Sequence, residues 1–251
     1  MANWQDPRST AERTSGVGAA TVGVPSATRD AGLRSYMLSV YNYMASGVLL
    51  TGIIALLFAP YAQQVLFNST GTGMNPLGWL VILAPLGFVF AMSFGVNRMK
   101  TATLQILFWG FATVMGLSMS TIFLAYTGVS IAQTFFATAA AYVGLSLYGY
   151  TTKRDLSGLG TFLIMGVVGL LVAMLINLFL QSSTMALVIS GIGVLLFAGL
   201  TAYDTQRIKS MYAYVAGTDM VGKTVIMGAL NLYLDFINMF QFLLYFMGDR
   251  R

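Results

Sequence analysis

The chain contains no cysteine and no histidine. The first absence excludes disulfides and thiolate nucleophiles, and the two together remove the usual zinc and haem ligands and the imidazole general base. Acid is almost as scarce. Glu12 is the only glutamate, and the aspartates are Asp6, Asp30, Asp155, Asp204, Asp219, Asp235 and Asp249. Charged residues make up 8% of the 251 positions and hydrophobic ones 57%, with a mean hydropathy of +0.76. A soluble domain of this length needs far less apolar material, so the composition identifies an integral membrane protein whose first partner is the lipid bilayer. The net charge of +5 is what basic loops of a membrane protein supply, and it is not taken as a nucleic-acid footprint.

The apolar material falls into seven runs, near 36–59, 78–96, 102–126, 130–150, 159–180, 184–204 and 224–247. Each is long enough to cross hydrocarbon roughly 30 Å thick as a helix of about 20 residues. A closed barrel would need alternating strands, which the sequence lacks. The expected fold is therefore all-α, with seven transmembrane helices over 35–251 after a polar, disordered tail over 1–34. Pro60 and Pro76 are expected to bracket the first loop, and Pro85 to kink the second span. The connections alternate in charge. Arg98 and Lys100, Lys153 and Arg154, and Arg207, Lys209 and Lys223 fall in every second one, and the tail adds four arginines. The intervening connections are uncharged, which predicts a cytoplasmic amino terminus. Seven crossings then leave Arg250 and Arg251 on the opposite side, unless the last segment is partly re-entrant.

Several patterns carry less than they suggest. Gly166, Gly169, Ala173 and Asn177 form one small-residue face, which close helix packing explains. GIGVLLFAG at 191–199 has no strand before it and lacks the third glycine of a dinucleotide fingerprint. Asn68-Ser69-Thr70 is a formal glycosylation sequon in the first loop.

The chemistry-bearing residues lie on the last two spans. Asn231, Asp235, Asn238 and Gln241 recur at i, i+4, i+7 and i+10, an arc of roughly 120° on a helix, so they form a polar stripe expected to face the bundle interior. A carboxylate at that depth costs about 2.5 kcal/mol or more, so Asp235 is a functional candidate. Asp204, at the end of the sixth span, is its acidic partner if the two spans pack together, although ion pairing with Arg207 and Lys209 would explain it equally. Two carboxylates that meet there titrate as one unit. Arg98 is the candidate cation that would favour their ionised form. Asp155 is expected to cap the fifth span. Tyr203-Asp204 matches half of an intramembrane aspartyl protease signature. The other half requires Gly-x-Gly-Asp where this chain has Leu232-Tyr233-Leu234-Asp235, and the Pro-Ala-Leu motif is missing.

Taken together, LAPLGFVFAMSF, KRDLSGLGTFL, AYDTQRIK and ALNLYLDFINMFQFLLYFMG resemble the Bax inhibitor-1 family in its bacterial branch, from about residue 33 onward. The resemblance implies six helices around a central seventh, a bacterial plasma membrane location and no enzymatic activity. It further implies that Asp204 and Asp235 share a proton and gate a calcium leak, with Arg98 engaging the pair. Calcium would be the transported ion rather than a cofactor, held weakly by Asp204 and Asp235 with oxygens from Asn231 and Asn238. The uncharged outer loops offer nothing to concentrate a divalent cation, which points to a low-affinity leak. The family also suggests a competing role, in which the 1–34 tail binds a membrane-anchored ATP-dependent protease and the aspartates are structural.

Overall fold

The computed structural model describes residues 26–68 and 73–251, with side chains from residue 30 onward. Seven helices are long and apolar enough to cross a membrane. In chain order the elements are α1 (Ser26–Leu66), α2 (Pro76–Gly95), α3 (Thr101–Met119), the short α4 (Ile122–Ala125), α5 (Gly128–Thr151), α6 (Ser157–Leu180), α7 (Ser183–Val215) and α8 (Met220–Met247). The two isolated bridges, Phe67 with Met74 and Tyr126 with Arg250, are the β pairing among the described residues. The connections 96–100, 152–156 and 216–219 meet at one end of the bundle, called here the basic end. The 67–75, 126–127 and 181–182 connections meet at the other, uncharged end.

Three boundaries differ from the sequence expectation. α1 starts at Ser26, so 26–34 is helical rather than tail; residues 1–25 lie outside the described residues. Packing supplies the reason: the Tyr36 ring packs against that of Tyr212, tilted by 38° with centroids 5.3 Å apart, and Leu33 rests on the core. α1 also runs through Pro60 to Leu66, because Ala62 and Leu66 are fully buried anchors beyond the proline. Likewise, the stretch 205–215, expected to be loop, continues α7 with Thr205 and Ile208 buried. At 33 residues α7 is about 50 Å long, well beyond the hydrocarbon thickness. α8 is one unbroken helix of 28 residues, about 42 Å, so it is not re-entrant.

Local sequence explains the tight turns. Asn75 caps α2 by accepting from Gly78 N at 2.7 Å, while its own amide donates to Val65 O at 2.8 Å. Pro76 follows at the first helical position, where its missing N–H costs nothing. Between α3 and α4 the Ser120 hydroxyl donates to Leu117 O at 2.6 Å, a local bond that competes with the helix ladder and breaks the expected 102–126 span at Ser120–Thr121. The sequon's Ser69 and Thr70 lie outside the described residues.

α8 is the central helix. Its buried apolar residues, among them Leu230, Leu232, Tyr233, Phe236, Met239 and Phe240, cover all but the side that carries Asn231, Asn238 and Gln241. It packs directly on α1, α3, α5 and α7, while α2 leans on α1 and α3, and α6 chiefly on α7. Small residues set the closest approaches. A Cβ at Gly149 on α5 would collide with the Ala202 carbonyl of α7, and one at Gly160 on α6 with the Tyr203 ring. The small-residue face of α6 is split: Gly166 meets Leu196, but a Cβ at Gly169 would meet open space.

Candidate functional site

α8 holds Asp235 in the protein interior. The residue is 4% exposed, and its Oδ2 has no hydrogen-bond partner. The turn around it is fixed by two tyrosines. The Tyr142 hydroxyl of α5 donates to Leu232 O at 3.1 Å. Tyr233, fully buried, meets Thr51 of α1, with 2.6 Å between the hydroxyl oxygens. Thr51 Oγ1 donates its single proton to Ala112 O on α3 at 2.9 Å, so the Tyr233 hydroxyl must be the donor to Thr51. One phenol thereby pins α8 to α1 and α3, two residues from the aspartate.

The expected polar stripe is only partly interior. Asn231 and Asn238 are half-buried, and Asn238 donates back to Leu234 O at 2.8 Å. Gln241 is exposed and, with Asn238, borders a cavity between α6, α7 and α8. The arc is as expected, but the ring of neighbours is incomplete on the α6 side, so its far end is uncovered.

On α7, Asp204 is half-buried and lies within electrostatic range of Asp235 and of Tyr142. Arg207, one turn further along the same helix, is a cation acting on Asp204, and Arg98 stands exposed in the turn after α2. The neighbours of Asp204 explain why YDTQ and KRDLSGLG occur together. Tyr203 lies on Gly160. Thr205 shares a hydrogen bond with Ser146 at 3.1 Å, and Ser146 with Tyr41 at 2.6 Å. Gln206 clamps the α5–α6 connection, accepting from Leu156 N and donating to Arg154 O, both at 2.8 Å. Asp155 does cap, accepting from Ser157 N at 2.9 Å; hydrogen bonds from the Ser157 side chain and backbone hold its carboxyl below the usual aspartate range.

Sequence reasoning missed one feature. Ser130, Thr134, Thr138, Tyr142 and Ser146 lie on one buried face of α5. Their spacing of four was legible, and it makes a hydroxyl ladder about 24 Å long that passes the aspartates. Isolated Ser and Thr in a membrane helix usually bond to the carbonyl four residues back, as Thr138 does to Thr134 O at 2.8 Å, which masks such a row.

Calcium takes six to eight oxygens. Among the described residues no three His, Cys, Asp or Glu side chains gather, so further oxygens for such an ion would have to come from amides, hydroxyls, carbonyls or water.

Residues 33–251 match the family model described as Inhibitor of apoptosis-promoting Bax1. The chain is 49% identical to the Rickettsia prowazekii protein RP147 over 89% of this chain and 93% of that protein. It is 42% identical to the Inner membrane protein YbhL of Escherichia coli, over 88% of this chain and 94% of YbhL. A Streptococcus pyogenes membrane protein, SpyM3_0260, is 36% identical over 87% and 94%.

Proposed function

The chain belongs to the Bax inhibitor-1 family of membrane proteins, and on that premise we propose that it is a pH-sensitive calcium leak of the bacterial inner membrane, gated by Asp204 and Asp235. The observation that carries this reading is the buried Oδ2 of Asp235, without a hydrogen-bond partner and within electrostatic range of a second carboxylate. Unpaired buried charge is expensive enough that such a pair changes its proton content rather than stay fully ionised. Each proton gained or lost alters the charge across the α7–α8 contact by one unit. The α5 hydroxyls supply a row of oxygens beside this contact, along which a partly hydrated cation passes once the helices part. The amino terminus is cytoplasmic in this reading, as the basic connections require.

The competing role, restraint of a membrane-anchored protease through the amino-terminal segment, assigns Asp235 no task. One measurement separates the two. Protein in liposomes loaded with a calcium dye is assayed between about pH 6 and 8. Flux above empty liposomes is expected, with a pH profile altered in Asp204→Asn and in Asp235→Asn, because each variant removes one member of the coupled pair. Absence of flux in the wild type, or an unchanged profile in both variants, would overturn the leak.

A further inference from the structure

We propose that the cavity between α6, α7 and α8 at the uncharged end binds one phospholipid with an anionic headgroup, its acyl chain inside the cavity and its phosphate at Arg250. The cavity measures about 510 Å³, within the range of ligand sites. Its lining grades from apolar to polar along the membrane normal. Val167, Leu170 and Phe197 line the deep part; Asn177, Gln181 and Gln241 stand towards the uncharged end. An acyl chain joined to a polar head has the same gradient.

The cavity also has a lateral entrance. α6 packs chiefly on α7, which leaves a gap between α6 and α8 facing the lipid. The amides bordering it retain bonding capacity. Asn177 uses its Oδ1 to accept from Ser182 N at 3.1 Å, which leaves its NH₂ free. Asn238 uses its NH₂ on Leu234 O, which leaves its Oδ1 free. Amides left bare against hydrocarbon are costly, and the glycerol esters and hydroxyls of a headgroup satisfy them.

The charge at the mouth identifies the headgroup. Tyr245 borders the cavity, and the Arg250 guanidinium lies 4.7 Å from its ring centre and 5.9 Å from that of Tyr126. The backbone beside Arg250 is held in place: Thr127 N donates to Asp249 O at 3.1 Å, and Arg251 N to Ala125 O at 3.0 Å. Arg250 meets the side chains of Tyr245 and Tyr126 but is exposed, and a fork with five N–H donors has some to spare for a phosphate. Asp249, the acid at this end, turns its own backbone N–H towards α5, onto Ser130 Oγ at 2.9 Å. This accounts for two features the gating reading leaves idle, the uncovered end of the polar stripe and an arginine opposite the basic end.

The test uses the full chain in detergent with equal phosphatidylglycerol and phosphatidylethanolamine, read by native mass spectrometry. One phosphatidylglycerol is expected to survive delipidation, favoured about tenfold over phosphatidylethanolamine, whose ammonium offsets the phosphate charge that Arg250 meets. Arg250→Gln and Gln241→Leu should each remove that preference, and Lys100→Gln, at the basic end, should not. As a second readout, dioctanoyl phosphatidylglycerol should raise the thermal midpoint of the wild type but not of Arg250→Gln, and inorganic phosphate should raise neither. Equal retention of the two headgroups, retention unchanged in either cavity variant, or stabilisation by inorganic phosphate alone overturns the proposal.

Discussion

The Thr51–Tyr233 contact predicts an asymmetric double-mutant cycle. Tyr233→Phe deletes the donor. Thr51 keeps its bond to Ala112 O, and the lost neutral hydrogen bond costs about 1 kcal/mol. Thr51→Val deletes the acceptor and strands the Tyr233 hydroxyl where the residue is fully buried, at a cost of about 1–3 kcal/mol beyond the lost bond. Ala112 O is not stranded, because it lies inside α3 and keeps its bond from the residue four positions on. The double variant has neither a stranded donor nor a missing acceptor. It should therefore be more stable than Thr51→Val alone, with a coupling energy of about 2–4 kcal/mol. Reversible unfolding of the four proteins in mixed micelles with increasing denaturing detergent measures all the terms. Equal losses in the two single variants, or losses that simply add, would show that the hydroxyls do not bond as described and that α8 is positioned by apolar packing alone.

Two further outcomes concern the α5–α6 connection. Gln206→Ala removes both bonds that hold it, so amide hydrogen exchange at Leu156 should accelerate while exchange in α8 stays unchanged; protection persisting at Leu156 would discount the clamp. Asp155 has a lowered folded-state pKa, so its contribution to α6 is fully present above the unfolded aspartate range and is lost as pH falls through the lowered folded value. Asp155→Asn should accordingly flatten the acid limb of the stability curve, and a parallel curve would show that the Ser157 bonds do not stabilise α6.

Hydropathy located all seven spans because a helix must satisfy its backbone within itself in lipid, which makes length and apolar content nearly sufficient. It misplaced the ends of α1 and α7 for the same reason. Tyr36, Tyr212, Thr205 and Ile208 are ordered by contacts between helices beyond the hydrocarbon, where composition no longer discriminates. Asp235 was legible because one charge in an apolar run is conspicuous. Its place on the central helix was implied only by resemblance, since periodicity gives a face but not its neighbours. The α5 hydroxyls had a readable period of four, yet Ser and Thr in lipid admit a purely local explanation, so only burial beside the aspartates distinguishes the row. For Arg98 the sequence supplied a charge at the correct end of the bundle, but no information on reach. Arg207 acts on Asp204 because one helical turn places it nearby without any tertiary coincidence.

The side-chain hydrogen bonds also indicate where the bundle can part. One group joins α1, α3 and α8 with the α2–α3 turn, through Thr51 and Tyr233, Gln105 to Tyr43 at 2.7 Å, and Lys223 to Val96 O at 3.1 Å. A second joins α5, α6 and α7, through Ser146 and Thr205, the Gln206 clamp, and Lys209 to Tyr150 O at 2.7 Å. Asp235 belongs to the first group and Asp204 to the second. Between the groups run the Tyr41–Ser146 bond towards the basic end, the Tyr142–Leu232 bond at mid-bundle and the Asp249–Ser130 tether at the uncharged end. Under the proposed gating, a change of charge on the aspartate pair would act across a seam whose side-chain hydrogen bonds are those of two tyrosine hydroxyls and a terminal tether. Movement on either side carries whole helices, because each group is bonded internally. The Gln206 clamp ties α7 to the basic connection at 152–156, so under the proposed gating any shift of α7 would carry that connection with it.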